Sequence, residues 1–142
     1  MPVVDASIVV DWVAPGADPD LPAVAALARL AADDAELLAP QLLLEEVSNA
    51  LLTGVRRGRW SGAAADAAQA LVRELPVRLI DEPRDLDRAW DLARRYDNHP
   101  IYDLLYVALA ERHRTQLITA NSTLRQTLFG LDWLVAPEEL LG

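Results

Sequence analysis

The sequence predicts an α/β protein of three layers, a central and mainly parallel sheet with helices on both faces. Short apolar runs alternate with stretches of helical periodicity along the chain, and such alternation implies crossover connections between parallel strands. With 142 residues and 52% hydrophobic content, the chain is long enough to bury one substantial core. No low-complexity segment, internal repeat or long linker interrupts it.

Taken in order, "PVVDASIVVDW" reads as a short strand running into a helix. Residues from about Leu21 to Ala32 read as a helix and "ELLAP" as a brief strand. "QLLLEEVSNALLTGVRRG" is a long helix ending near Gly58, because Leu43, Leu44, Val47, Ala50 and Leu51 line up as one apolar stripe. An Ala-rich helix from about Ala63 to Glu74 follows, then a strand "PVRLID" and a helix from about Arg84 to Tyr96. "HPIYDLLYVALAER" is the next helix, followed by a strand "TQLITA", a short helix from about Ser122, and a last strand near "WLVA".

Composition excludes several chemistries. There is no cysteine, which removes disulfide scaffolds, thiolate zinc sites and cysteine nucleophiles. All thirteen cationic side chains are Arg, so P-loop, Schiff-base and lysine-dependent phosphate sites are excluded as well. No basic and apolar leader opens the chain, and every apolar run is interrupted by a charge, so the expectation is a soluble cytoplasmic protein with no membrane partner. A net charge of −9 argues against nucleic acid in bulk, but arginines cluster locally at Arg56, Arg57 and Arg59, at Arg94 and Arg95, and at Arg112 and Arg114. Such clusters also suit solvated helix ends.

Ligands in open α/β sheets bind beyond the carboxyl ends of the strands. Asp5 follows the first strand there, and Asn121 follows "LITA" at the corresponding point of a later one. Asp103 is the single polar residue between Ile101 and Ala110, in a helix apolar on all sides, and a buried carboxylate there requires a cation, a set of donors or a proton. On the preceding long helix, Glu45 falls opposite the apolar stripe and Glu46 at its border, so Glu46 is the acid expected to face a cleft. Each has an ordinary structural alternative. Asp5 and Asn121 suit helix N-caps, Asp103 complements a helix dipole, and Glu46 suits a helix boundary. Their recurrence at strand ends favours a shared site. Acids brought together repel one another and take up protons or a cation, and with oxygen ligands alone that cation is Mg²⁺ or Mn²⁺. Its natural chemistry is phosphodiester hydrolysis by a metal-activated water.

"VVDASIVVDW", "APQLLLEEVSNAL", "HPIYDLLYVALAER" and "LITANSTL" together resemble the PIN-domain nucleases, most closely the VapC toxins of bacterial toxin–antitoxin pairs, across essentially the whole chain. The resemblance implies a single PIN domain over residues 1–142 with an α/β/α fold and Mg²⁺- or Mn²⁺-dependent endoribonuclease activity. It also implies an RNA substrate of the tRNA or rRNA kind, a VapB-type antitoxin whose amphipathic tail carries an Arg into the acidic pocket, and a homodimer. The family's acidic quartet transfers to Asp5, Glu46, Asp103 and the position of Asn121, with Asp5, Glu46 and Asp103 as metal ligands. Ser7 matches the hydroxyl residue that helps position the attacking water. The departure is Asn121, where the family has Asp: an amide oxygen can ligate but brings no charge and cannot act as a base. Trp12, Leu42, Leu52 and Trp60 are candidates for partner surfaces or for core packing. A PIN-like domain that binds without cleaving stays open, as does a phosphotransfer domain using Asp5 as nucleophile, though the missing Lys and the absence of a second Asp at position 7 count against the latter.

Overall fold

A computed structural model describes residues 1–141. Strand β1 (Val3–Val4) leads through Asp5 into α1 (Ala6–Val13), followed by α2 (Pro22–Ala32) and β2 (Leu37–Pro40). Helices α3 (Leu43–Arg56) and α4 (Gly62–Val72) precede β3 (Val77–Ile80), and α5 (Arg84–Arg95) and α6 (Ile101–Arg112) precede β4 (Leu117–Ile118). Helix α7 (Ser122–Thr127), β5 (Leu134–Val135) and a 3₁₀ turn over Pro137–Leu140 complete the described chain. Every expected element is present, with ends shifted by a few residues. The long helix starts at Leu43 rather than Gln41, and "TQLITA" contributes only Leu117 and Ile118 to a strand.

The five strands form one parallel sheet in the order β3-β2-β1-β4-β5. Val3 pairs with Leu38 on one side and Leu117 on the other, and Val4 with Ile118. All five of these and their neighbours Leu37 and Ala39 are buried, as expected of parallel strands covered on both faces. Right-handed crossovers then dictate the layers. The chain moves from β1 to β3 in one direction, so α1 to α4 share one face, where α1 packs on α2, α3 and α4. It crosses back to β4, which puts α5 and α6 together on the other.

Local sequence explains the element ends. Ser61 caps α4 by accepting from the Ala64 N–H at 3.1 Å. Helix α3 buries Leu43, Val47, Leu51 and Gly54 at helical spacing and ends in a Schellman turn. There Gly58 sits at φ 71°, its N–H bonds to the Val55 carbonyl, and the Arg59 N–H bonds to Gly54. Gly54 is required by its neighbour, because a Cβ there would lie 2.1 Å from the Trp60 ring. Trp60 donates its indole N–H to the Leu51 carbonyl, and Trp12 donates likewise to Ala23. Both tryptophans, with Leu42, are partly buried and pack against the core, whereas Leu52 is exposed.

Helix α6 lies against β1, β2 and β4 on one side and under α5 on the other, which is why it is apolar nearly all round. Two forked ion pairs tie α5 to α6: Arg112 with Asp85 at 2.8 and 3.0 Å, and Arg88 with Glu111 at 2.6 and 3.0 Å. Arg112 is therefore committed to the fold and leaves the basic cluster it was grouped with. Among the described residues no helix is long and apolar enough to cross a membrane.

Candidate active site

The strand order reverses between β1 and β4, and the crevice at such a point is where open α/β sheets bind ligands. Asp5 emerges from β1 at this crevice and is 93% shielded from solvent, with 7% exposure. Its carboxylate caps α1 by accepting from the Ile8 N–H at 3.3 Å, and it accepts the Ser7 hydroxyl at 2.5 Å. Ser7 Oγ also accepts the Ala120 N–H at 3.0 Å and lies 3.5 Å from the Thr119 hydroxyl. Asp5, Ser7 and the end of β4 thus form one bonded network, and Thr119 is fully buried within it. Burial pushes the Asp5 carboxyl above its usual range; the bonds from Ser7, Thr119 and Ile8 oppose this, and Asp103 adds to it by repulsion.

Glu46 lies in the first turn of α3, half-buried, whereas Glu45 is exposed, as the helical phase requires. The buried Tyr106, from α6, donates its hydroxyl to Glu46 Oε1 at 2.6 Å. Desolvation raises the Glu46 carboxyl, the Tyr106 bond lowers it, and Asp103 and then Asp5 raise it again. The three acids therefore feel one another pairwise across the crevice.

Asp103 departs from the expectation of a fully buried carboxylate. Its side chain is 39% exposed, because the first turn of α6 rises out of the core before Leu104 enters it. It does have a partner: His99 Nε2 lies 2.9 Å from Asp103 Oδ2.

Asn121 is exposed, and its Oδ1 accepts the Leu124 N–H at 3.0 Å as the N-cap of α7. The structure thus gives its amide oxygen a capping role, as the Asp5 carboxylate has for α1. Nearby, Arg125 of α7 donates to the Thr119 carbonyl at 2.7 Å, which sets a guanidinium against this wall of the crevice.

Three residues around the acids escaped the sequence analysis. Tyr106 stands three residues after Asp103 on the same helix, where its aromatic type reads as core, and His99 stands ahead of the Pro100 that opens that helix, where helical spacing does not reach it. Thr119 carried no signal beyond its place at a strand end.

The donor set fits a hard divalent cation. It is all oxygen, it is anionic, and burial with mutual repulsion leaves Asp5 and Glu46 favouring neutralisation. Among the described residues no three His, Cys, Asp or Glu side chains lie close enough to close on an ion by themselves. Mg²⁺ keeps several waters and commonly takes only one or two carboxylates directly, so acids can also hold it through those waters.

A profile of the PIN domain matches residues 3–129. The crystal structure of PAE2754 from Pyrobaculum aerophilum superposes with a TM-score of 0.71 at 24% identity, covering 99% of this chain and 91% of that one. At that identity the likeness concerns the fold. No curated protein matches the sequence.

Proposed function

The chain belongs to the PIN-domain family, a family of nucleases, and from that premise we propose that it is a Mg²⁺- or Mn²⁺-dependent endoribonuclease acting as the toxin of a toxin–antitoxin pair of the VapC kind. What supports the metal-dependent reading is the placing of acids at the reversal point of the sheet, with Asp5 buried and bonded across to the end of β4 through Ser7 and Glu46 bonded to Tyr106 of the helix that carries Asp103. Asp5, Glu46 and Asp103 would hold the ion. When bound, it supplies positive charge against a phosphate and makes water more acidic.

The chain's own groups do the positioning. Ser7 bonds both the Asp5 carboxylate and the Ala120 backbone, so it ties the two walls of the crevice together. Tyr106 orients Glu46, and His99 orients Asp103, each through a bond that satisfies one carboxylate oxygen. Arg125 supplies a cation to a substrate phosphate at the β4 wall. The exposed arginines Arg57, Arg59 and Arg95 give salt-sensitive attraction for RNA despite the acidic total. A VapB-type antitoxin would inhibit by laying an apolar segment on the toxin and pairing an Arg with the acids, and the toxin itself would act as a homodimer.

The test is cleavage of total RNA with Mg²⁺, with Mn²⁺ and with EDTA, by the wild type and by Asp5→Asn, Glu46→Gln and Asp103→Asn. We expect metal-dependent cleavage that falls to background in each folded variant. Full activity in any variant removes that acid from the centre. One observation favours a second reading, a domain that binds RNA or protein without cutting: Asn121 spends its oxygen on a cap where the family has a carboxylate. Folded wild type that binds RNA and never cleaves it would establish that reading. For the toxin role, expression should arrest growth, and the product of the adjacent upstream gene should relieve the arrest.

A further inference from the structure

A cleft of about 250 Å³ opens beside the acids, lined by Leu42, Glu45, Glu46, Asn49 and Tyr102. It joins the first turns of α3 and α6, so that elements from opposite faces of the sheet meet in it. Tyr102 is 61% exposed, although it stands in a helix that buries Leu104 and every residue from Tyr106 to Ala110, and it is the chain neighbour of Asp103. An aromatic side chain that the core does not take up presents a flat apolar face with a polar rim. Leu42 is only partly buried and supplies apolar contact where it lines the cleft.

The polar groups of the cleft restrict what can enter. Glu45 and Glu46 only accept hydrogen bonds when ionised, Asn49 both donates and accepts, and no cation lines the cleft. A phosphate is therefore repelled. A planar ring that stacks on one side and donates N–H groups at its edge is favoured, which describes a nucleobase with an exocyclic amino group. In a duplex that edge is occupied by the pairing partner, so the base must be unpaired.

We propose that this cleft is a base subsite, in which Tyr102 stacks an unpaired, amino-bearing base of the RNA next to the phosphate to be cut. The inference rests on the nuclease reading for its substrate and adds to it the position that reads sequence. Cytosine, adenine and guanine fit, because each offers an amino group to Glu45; uracil offers only N3–H, flanked by two carbonyl oxygens that the carboxylate repels, and is disfavoured. Cleavage accordingly falls in loops and single strands beside an amino-bearing base.

The experiment uses a short oligouridylate carrying one central 2-aminopurine, whose fluorescence is quenched on stacking, with Ca²⁺ in place of Mg²⁺. Wild type and Tyr102→Phe should quench it, while Tyr102→Ala should bind it roughly 10- to 100-fold more weakly, the range expected for loss of one base–aromatic stack. Circular dichroism and the melting temperature establish that the variants are folded, which the exposure of Tyr102 favours. In Mg²⁺, the wild type should cut heteropolymeric RNA and leave oligouridylate intact, and Tyr102→Ala should lose that preference. Equal quenching by wild type and Tyr102→Ala, or equal cleavage of oligouridylate and mixed RNA by the wild type, overturns the subsite. Quenching that depends on Tyr102 in a protein that cuts nothing supports the subsite and overturns the nuclease reading alone.

Discussion

Replacing Tyr106 by Phe removes one oxygen from the core and tests how the acids are held. The hydroxyl donates to Glu46 at 2.6 Å from a residue only 2% exposed. A hydrogen bond to a charged group contributes about 1.5–3 kcal/mol, and because Glu46 is half-buried and recruits water in its place, we expect a loss of about 1–2 kcal/mol. For a chain of this size that is a fall of roughly 3–8 °C in the melting temperature. The bond lowers the Glu46 carboxyl against the desolvation that raises it, so Phe lets it rise further. A carboxyl raised in the folded state contributes stability below its unfolded pKa and loses it as pH rises through the folded value. The deficit of Tyr106→Phe should therefore be largest at neutral pH, where Glu46 is ionised, and shrink as pH falls through the folded pKa. The acid limb of the cleavage profile should move to higher pH, and the Mg²⁺ needed for half-maximal rate should rise about 10- to 100-fold, the usual effect of losing a partner of a metal-binding carboxylate. Thermal melts at two pH values and Mg²⁺ titrations of cleavage measure both. An unchanged Mg²⁺ requirement, or a stability deficit that ignores pH, would refute the link between Tyr106, Glu46 and the centre.

Three other outcomes follow from the same geometry. Asp5→Asn keeps the oxygen that caps α1 and removes a charge that burial disfavours; since the Asp5 carboxyl is raised, the metal-free variant should resist urea better than wild type near neutral pH, with the advantage vanishing below the carboxylate range. Greater sensitivity at neutral pH would mean that the bonds to Ser7 and Ile8 outweigh desolvation. Asn121→Asp should leave stability within about 0.5 kcal/mol, because both residues cap equally well, and its Mg²⁺ titration should overlay that of wild type; a shift to lower Mg²⁺ would bring position 121 into the centre. Gly54→Ala drives a methyl to 2.1 Å from the Trp60 ring and should cost about 1–3 kcal/mol in chemical denaturation, and a neutral result would show that Trp60 swings away freely.

Periodicity and strand ends carried most of the fold. The alternation of apolar runs and helices made the parallel sheet legible, and the phase of α3 separated Glu46 from Glu45 because a buried stripe leaves only one border facing the crevice. Asp5 was legible as the first polar residue after a buried strand. Asp103 was legible for the wrong reason: composition alone cannot show that α6 surfaces in its first turn and sinks in its second. Tyr106 was hidden by its own type, since an aromatic in an apolar helix reads as core, and its hydroxyl acquires a role only when α3 arrives from the opposite face. Trp12 and Trp60 left core and partner roles open in sequence, and backbone carbonyls at Ala23 and Leu51 take their indole N–H groups and let both pack inward.

The pairing of β1 between β2 and β4 also orders events during synthesis. The chain emerges N-terminus first, so β1, β2 and β3 with α1 to α4 are available to associate while residues 117–119 are still being made. Asp5 then stands at the open edge of a three-stranded sheet, without the Thr119 and Ala120 backbone that Ser7 binds and without α6 to bring Asp103 and Tyr106. In the growing chain Asp5 and Glu46 are thus made before Asp103, Tyr106 and the end of β4, and the bonded network around the acids closes only when α6 and β4 dock.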